Sequence, residues 1–514
     1  MKRLSELLPR LTPGQFLAII VLALVILSCA NLLFSTLRYE FGLGYVSPIT
    51  GPSATGLDDR FADLVKMSLS YRPFVSSIKT STLSSWPDIF RRYYLVPSYG
   101  GKEALASGKK VTHFHVPPLM TLQFLASASL INYTQSAALD LVVFFGLYLA
   151  TVQCTLMIGV PAGLRGWKVQ LAAWCYALIS YPALMVFCRG NFQGGYACLF
   201  IIAFLLSFYV RNRVEPFGLL ALAIAVNFRP NAVIFVLALP LALGWKKSLR
   251  PLITFSVMAA GICIASYLVV NRLYPDYTWS AFRRGLDIYN HLYVFGGHGD
   301  AGNASLWAFA KNYISFQTRT GSNVLVGAIV LGIVVAVRLW RLRRPLQLTV
   351  VPVAAILLYA GVEAVTPDYR LAIPAFAVLA FCLAASAAWA LWRCPNRGIV
   401  VPFVLAAFYC LFSPVFAEYH LMVFLGPLLL VYFKFHDWAQ NYRAMAAITA
   451  ACVLVMSPKN YLYIGALSVQ TVLNPLILYL ACAFALSEAS LTRGAGTWPA
   501  MTTGTAPARE AAKA

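Results

Sequence analysis

Residues 16–34 read FLAIIVLALVILSCANLLF, without one charged side chain. A helix crossing a hydrocarbon core of about 30 Å needs about 20 apolar residues, so this stretch is long enough to span a bilayer. Runs of similar length recur to residue 486. Across 514 residues the chain is 60% hydrophobic and 11% charged, with mean hydropathy +0.72. Soluble domains carry about 25% charged residues, and a membrane β-barrel would show short alternating segments instead. The reading is an all-α polytopic membrane protein.

Lys and Arg number 40 against 18 Asp and Glu, a net charge of +22. The basic residues punctuate the apolar runs and form no continuous patch. They read as topology signals and contacts to anionic lipid, not as a nucleic-acid surface. The 11 cysteines lie nearly all within apolar runs and read as small buried hydrophobes. None falls in the two long polar loops, so no disulfide framework or Cys-x-x-Cys metal site is visible. Residues 1–10 are basic and lead into the first run without a small-residue cleavage site, which predicts an uncleaved first span. The Gly/Ala/Thr-rich stretch 491–514 reads as a disordered cytoplasmic tail.

Basic clusters at Lys2–Arg10, Arg165–Lys168, Arg211–Arg213, Lys246–Arg250, Arg338–Arg344, Arg393–Arg397 and Lys434–Arg443 mark cytoplasmic loops. Spans are then expected near 16–35, 138–160, 169–188, 193–210, 216–227, 231–245, 251–272, 323–340, 347–363, 369–392, 398–413, 418–434, 444–457 and 464–486. Pro117–Tyr133 must begin and end outside, so it reads as re-entrant, with Pro117-Pro118 at a helix start. The expectation is one transmembrane domain, 1–490, of about 13 to 15 membrane segments. Its long extracytoplasmic loops are 37–115 and 273–322.

This topology gathers proton-transfer groups on the outer side: Asp58, Asp59, Asp63, Asp287, Asp368, Glu418, and five of the six histidines, His113, His115, His291, His298 and His420. Keeping positive charge inside explains part of the acidic bias but not the histidines. An outward-facing active site accounts for both.

In the first loop, Asp58–Tyr71 reads as an amphipathic helix on the bilayer surface, with Leu57, Phe61, Leu64 and Val65 on one face and Asp59, Asp63 and Lys66 on the other. The plainer reading makes Asp58 an N-cap and Asp59 a first-turn residue favoured by the helix dipole. His113 and His115 stand at the mouth of the re-entrant segment. Two ligands with no visible third make a poor metal site, so hydrogen bonding to hydroxyls or phosphate is preferred. Cys188-Arg189-Gly190-Asn191-Phe192-Gln193-Gly194-Gly195 reads as a tight outer turn. Asn227-Phe228-Arg229-Pro230-Asn231 interrupts an apolar stretch, and an arginine at that depth needs a partner or water. Arg189 and Arg229 offer two guanidiniums suited to a phosphate; each alone could be a snorkelling interfacial residue. Asn303-Ala304-Ser305-Leu306, Thr366–Arg370 and Ser413-Pro414…Glu418-Tyr419-His420 complete the outer elements.

In this order the elements resemble the membrane glycosyltransferases of the GT-C superfamily, nearest the polyprenol-phosphate-mannose-dependent mannosyltransferases (GT87-like). The matching pieces are Asp58-Asp59 after the first span, Pro117 to Leu119, the Arg189–Gly194 turn, Arg229-Pro230, Asn303 to Leu306, and Ser413-Pro414…His420. The chain departs in Asp63-Leu64, which competes with Asp58-Asp59. It also carries Arg229 where the family commonly has Lys, and Arg189-Gly190-Asn191 in place of a Gly-Gln-x-Asn turn.

The resemblance implies inverting transfer of one sugar, mannose or a related pentose or hexose, from a polyprenyl-monophosphate-sugar donor. The acceptor would be a glycolipid or glycan outside the bacterial cytoplasmic membrane. Asp58, Asp59 or Asp63 would be the base; Arg229 and Arg189 would meet the donor phosphate. His113, His115, Asn191, Asn231, Asn303 and His420 would contact substrate. No cofactor, metal or nucleic acid is implied, and no Rossmann fingerprint or P-loop is visible. Two alternatives remain: a polysaccharide polymerase or ligase using a diphosphate-linked glycan, and a lipid-linked sugar transporter or flippase. The second predicts inverted repeats, and none is evident.

Overall fold

The computed structural model describes residues 7–40, 116–123, 137–273, 275, 277–289, 303, 305–309, 397–413, 415–457, 463–464 and 467–491, with four isolated helical positions from 381 to 391. Asp58, Asp59, Asp63, His113 and His115 lie outside the described residues, as does the expected surface helix at 58–71.

The described residues form a helical bundle. Helix α1 spans Pro13–Glu40, α2 Ala137–Gly159, α3 Trp167–Ile179, α4 Tyr181–Arg189, α5 Phe192–Val210 and α6 Pro216–Phe228. A 3-10 segment, Pro230–Leu237, leads into α7, Ala238–Leu243. Then come α8 (Trp245–Leu273), α9 (Trp279–Tyr289) and α10 (Arg397–Phe412). A second 3-10 segment, Glu418–Phe424, leads into α11 (Leu425–Phe433), followed by α12 (Trp438–Met456). A hairpin of two-residue strands, β1 (Tyr463–Ile464) and β2 (Leu467–Ser468), precedes α13 (Val469–Leu491).

Four of these helices contain stretches long and apolar enough to cross a membrane: Pro13–Ala30, Val142–Gly159, Phe192–Val210 and Trp245–Leu273. Two bent pairs raise the number to six if each is one span. Such a set fits a multi-pass membrane protein. The stretches differ sharply in burial, from 89% for Phe192–Val210 to 11% for Pro13–Ala30. A helix apolar on every side belongs at the centre of a bundle or against lipid; α5 takes the first place and α1 the second. Ile19, Leu22, Val25 and Ile26 of α1 and Ile253, Val257, Ile264 and Leu268 of α8 are exposed, as lipid-facing side chains would be.

Small residues fix the register around α5. Tyr148 of α2 lies against Gly195, and Gly159 lies against Leu206, so α2 and α5 run parallel. Phe228 of α6 meets Tyr196, with ring centroids 6.2 Å apart, and Gly218 lies against Ser207, so α6 runs antiparallel to α5. At one end of the bundle two arginines cap α2. Arg165 donates from Nε to the Val160 carbonyl (2.7 Å) and from Nη2 to Met157 (2.7 Å); Arg211 donates to the same two carbonyls at 3.3 and 3.0 Å. Their charges complement the negative end of the helix dipole. Glu215 pairs with both Arg211 and Arg213. Asn191, Arg229 and His420 lie at the opposite end.

Several boundaries differ from the sequence reading. The expected span 169–188 is two helices bent by 57°. Pro182 has no N–H to continue α3, and Ser180 is extended (φ −60°, ψ 146°). The expected span 464–486 opens with the hairpin, and helix begins only at Val469. The stretch 418–434 starts as 3-10 helix. The expected helix start at Pro117-Pro118 is observed, with helix over 118–123. The cysteines divide: Cys198, Cys410, Cys452 and Cys482 are buried, whereas Cys29, Cys154 and Cys175 are exposed. Apolar runs do not reveal which side of a helix meets lipid.

A methyl group added at Gly159 would lie 2.5 Å from Cβ of Leu206, while Gly163 has nothing within 4 Å. Gly159→Ala is expected to separate α2 from α5 and cost about 1–3 kcal/mol. Gly163→Ala should leave stability unchanged. Heat-induced loss of the monodisperse peak in detergent checks the pair.

Candidate functional site

Four stretches remote in sequence meet at the Arg229 end. The first is the turn between α4 and α5. Gly190 adopts the left-handed conformation (φ +67°) that closes α4: its N–H donates to Phe187 O (3.2 Å), and Asn191 N–H donates to Val186 O (3.0 Å). This crossed pair is a Schellman motif, and the positive φ explains the glycine. Asn191 is buried, and its side-chain oxygen accepts from Gly194 N at 3.1 Å to cap α5. A methyl at Gly194 would meet the Tyr419 ring at 2.8 Å, so the turn is seated directly on the fourth stretch. Arg189 is half-buried in the last turn of α4, where a cation is favoured by the dipole.

The second stretch is the break after α6. Arg229 is extended (φ −141°, ψ 97°) because Pro230 disfavours helical geometry at the residue before it. Its N–H still closes the helix on Ala225 O at 2.8 Å. Asn231 follows, exposed, and donates from Nδ2 to Ser413 Oγ at 3.2 Å.

The third stretch is Asn303–Ser305. Asn303 is 2% exposed. Its Oδ1 accepts from Ser305 N at 3.1 Å and from Phe416 N at 2.9 Å, and Asn303 forms a β-bridge to Ala417. Ser305 Oγ accepts from Ala308 N at 3.1 Å and caps the turn Leu306–Ala308. One amide oxygen therefore ties the third stretch to the fourth, Ser413–His420. Here Ser413 Oγ donates to Tyr409 O at 2.6 Å, and Glu418 accepts from the Tyr181 hydroxyl.

His420 stands at the junction. It is 3% exposed, and its ring is walled by Tyr419, Phe416 and Tyr409, with centroids 4.4, 5.2 and 6.4 Å away. Its carbonyl accepts from Cys198 Sγ at 3.5 Å. The charge of Arg229 reaches His420, Cys198 and Tyr409. Among the described residues neither ring nitrogen of His420 has a hydrogen-bond partner. Leaving a buried polar group unsatisfied costs about 1–3 kcal/mol, which points to a guest.

Gln193, in the first turn of α5, is the second such group. It is 1% exposed, and neither amide atom has a partner among the described residues. From the sequence alone it belongs to the outer turn and has no assigned role. A glutamine opening an otherwise apolar helix was the available signal. Between α8 and α9, Tyr277 donates to Val116 O at 3.0 Å. Burial pushes its phenol up, so it remains a donor at neutral pH.

Of the expected site residues, the structure joins Asn191, Arg229, Asn231, Asn303 and His420 through the contacts above. The described apolar groove lined by Phe16, Ile20, Lys168, Tyr176, Leu425 and Tyr432 touches none of them. It lies toward the Arg211 end. No protein-family model, curated protein or solved structure matches the chain.

Asn303→Ala leaves two buried N–H groups without an acceptor and is expected to destabilise by about 2–3 kcal/mol. Asn303→Asp keeps both accepted bonds and should cost less. Melting of the two variants in detergent, side by side with the parent, checks the order.

Proposed function

We propose that the chain is an inverting glycosyltransferase of GT-C type that uses a polyprenyl-monophosphate sugar. The observation that carries this reading is His420: an imidazole without a hydrogen-bond partner among the described residues, in an aromatic box, under the charge of Arg229. A guanidinium and an imidazole N–H suit a phosphate monoester, and imidazole offers an N–H in either protonation state. The aromatic walls suit a sugar or prenyl face. With His420 at 3% exposure, the headgroup enters only as neighbouring side chains swing aside.

In the reaction the acceptor hydroxyl oxygen attacks the anomeric carbon while its proton passes to a carboxylate. The bond from that carbon to the phosphate oxygen breaks, and its electron pair stays on the phosphate. Arg229 meets the charge that grows there, with His420 hydrogen-bonded beside it. Asp58, Asp59 or Asp63 supplies the base, and Arg189 is a second phosphate ligand. Asn191, Asn231, Asn303, His113 and His115 shape the substrate side. The site faces away from the cytoplasm, in the cytoplasmic membrane of a bacterium. The basic residues at the Arg211 end support that orientation, since positive loops stay inside.

The purified protein in nanodiscs is expected to transfer sugar from a polyprenyl-phosphate sugar to a glycolipid or glycan. Arg229→Ala should lower kcat/KM by about 10²–10³-fold, with Arg229→Lys retaining more. One of Asp58→Asn, Asp59→Asn and Asp63→Asn should abolish turnover with the fold intact. Full activity in all three would remove the base from the scheme. Uptake of an unaltered lipid-linked sugar into vesicles, without covalent transfer, would replace this reading with transport.

A further inference from the structure

Gln193 heads a stripe of α5 that faces α6. Residues 193, 197, 200, 204 and 207 follow one another at helical spacings of three and four, so they share a face. Phe204 and Ser207 meet Gly218 of α6 at the far end of that seam. The two helices are antiparallel, and Tyr196 is level with Phe228. Gln193 therefore stands about 4.5 Å beyond Phe228 along the seam, at the height of Arg229 and Pro230. It is 1% exposed, with both amide atoms unpartnered among the described residues. The next positions along the stripe are apolar: Ala197 and Phe204 are buried, and Phe200 is half-buried.

From this placement we infer that Gln193 binds the sugar of the donor and selects among sugars, resting on the site reading proposed above. A primary amide presents an acceptor oxygen and two N–H donors in one plane. Adjacent sugar hydroxyls, each a donor and an acceptor, match that pattern. A phosphate offers acceptors alone and would leave the amide oxygen unmet. Level with Arg229, Gln193 meets the ring next to the phosphate and not the prenyl tail. It is a specificity residue, and takes no proton in the transfer.

The test uses the full chain in nanodiscs with two sets of probes. One is a polyprenyl phosphate without sugar. The other is a panel of the same lipid carrying mannose, glucose, galactose or arabinose. Gln193→Met, similar in length and unbranched, is expected to bind the bare lipid phosphate as the parent does. It should lose about tenfold or more on the sugar the parent prefers, flattening the preference across the panel. Gln193→Glu exchanges the N–H donors for a second acceptor oxygen and should shift the order of sugars. Parental affinities in both variants would overturn the assignment of Gln193 alone. An equal fall for bare and sugar-bearing lipids would assign it to folding or to phosphate, and also overturn it. A parent that binds neither probe set while remaining folded would overturn the site reading itself, and this inference with it.

Discussion

The break at Arg229-Pro230 is the constraint on which the candidate site depends. Proline removes the helical option for Arg229, so α6 ends with a half-buried guanidinium at its terminus, between the buried Phe228 and the exposed Pro230 and Asn231. A fixed charge in such surroundings acts over a longer range than it would in water. The groups within its reach, His420, Cys198 and Tyr409, come from three other elements. The stretches around them are held together by specific bonds. Asn231 holds Ser413, and Asn303 holds Phe416 and Ser305.

The scaffold has two kinds of surface and two kinds of end. Helix α5 is the buried axis, gripped by α2 and α6 through contacts at Gly159, Gly195 and Gly218. Helices α1 and α8 carry the exposed apolar faces. The Arg211 end is closed by arginines spent on helix carbonyls and on Glu215. At the Arg229 end two buried side chains, His420 and Gln193, keep polar atoms unmatched among the described residues. At that end an unmatched imidazole and an unmatched amide lie close to the charge of Arg229, which is what distinguishes it as a place for binding.

Local chemistry was legible in the sequence wherever proline, glycine or a capping side chain decides geometry. The break at Pro230, the helix start at Pro117-Pro118 and the turn at Gly190-Asn191 were read from those residues. Long-range packing was not. The kink at Ser180 lay inside what reads as one apolar run, and the hairpin at 463–468 lay at the start of another. The exposed positions of Cys29, Cys154 and Cys175 cannot be told from buried ones in the sequence, because a helix apolar on every side has no direction in its pattern. The role of Asn303 as a double acceptor, and the orphaned amide of Gln193, depend on segments more than a hundred residues apart or on an antiparallel seam. In the sequence Asn303 stands out without its partners, and Gln193 carries no signal beyond opening an apolar helix. The aspartates at 58, 59 and 63 belong to a loop outside the described residues, so the base of the proposed reaction rests on sequence alone.

The central claim is that a lipid phosphate sits between Arg229 and His420. A cryo-EM map of the protein in nanodiscs with a polyprenyl phosphate addresses it directly. The account predicts headgroup density within hydrogen-bond distance of the Arg229 guanidinium and an imidazole nitrogen of His420, with the chain running into the bilayer. A headgroup bound elsewhere, with His420 still enclosed by Tyr409, Phe416 and Tyr419, would contradict it.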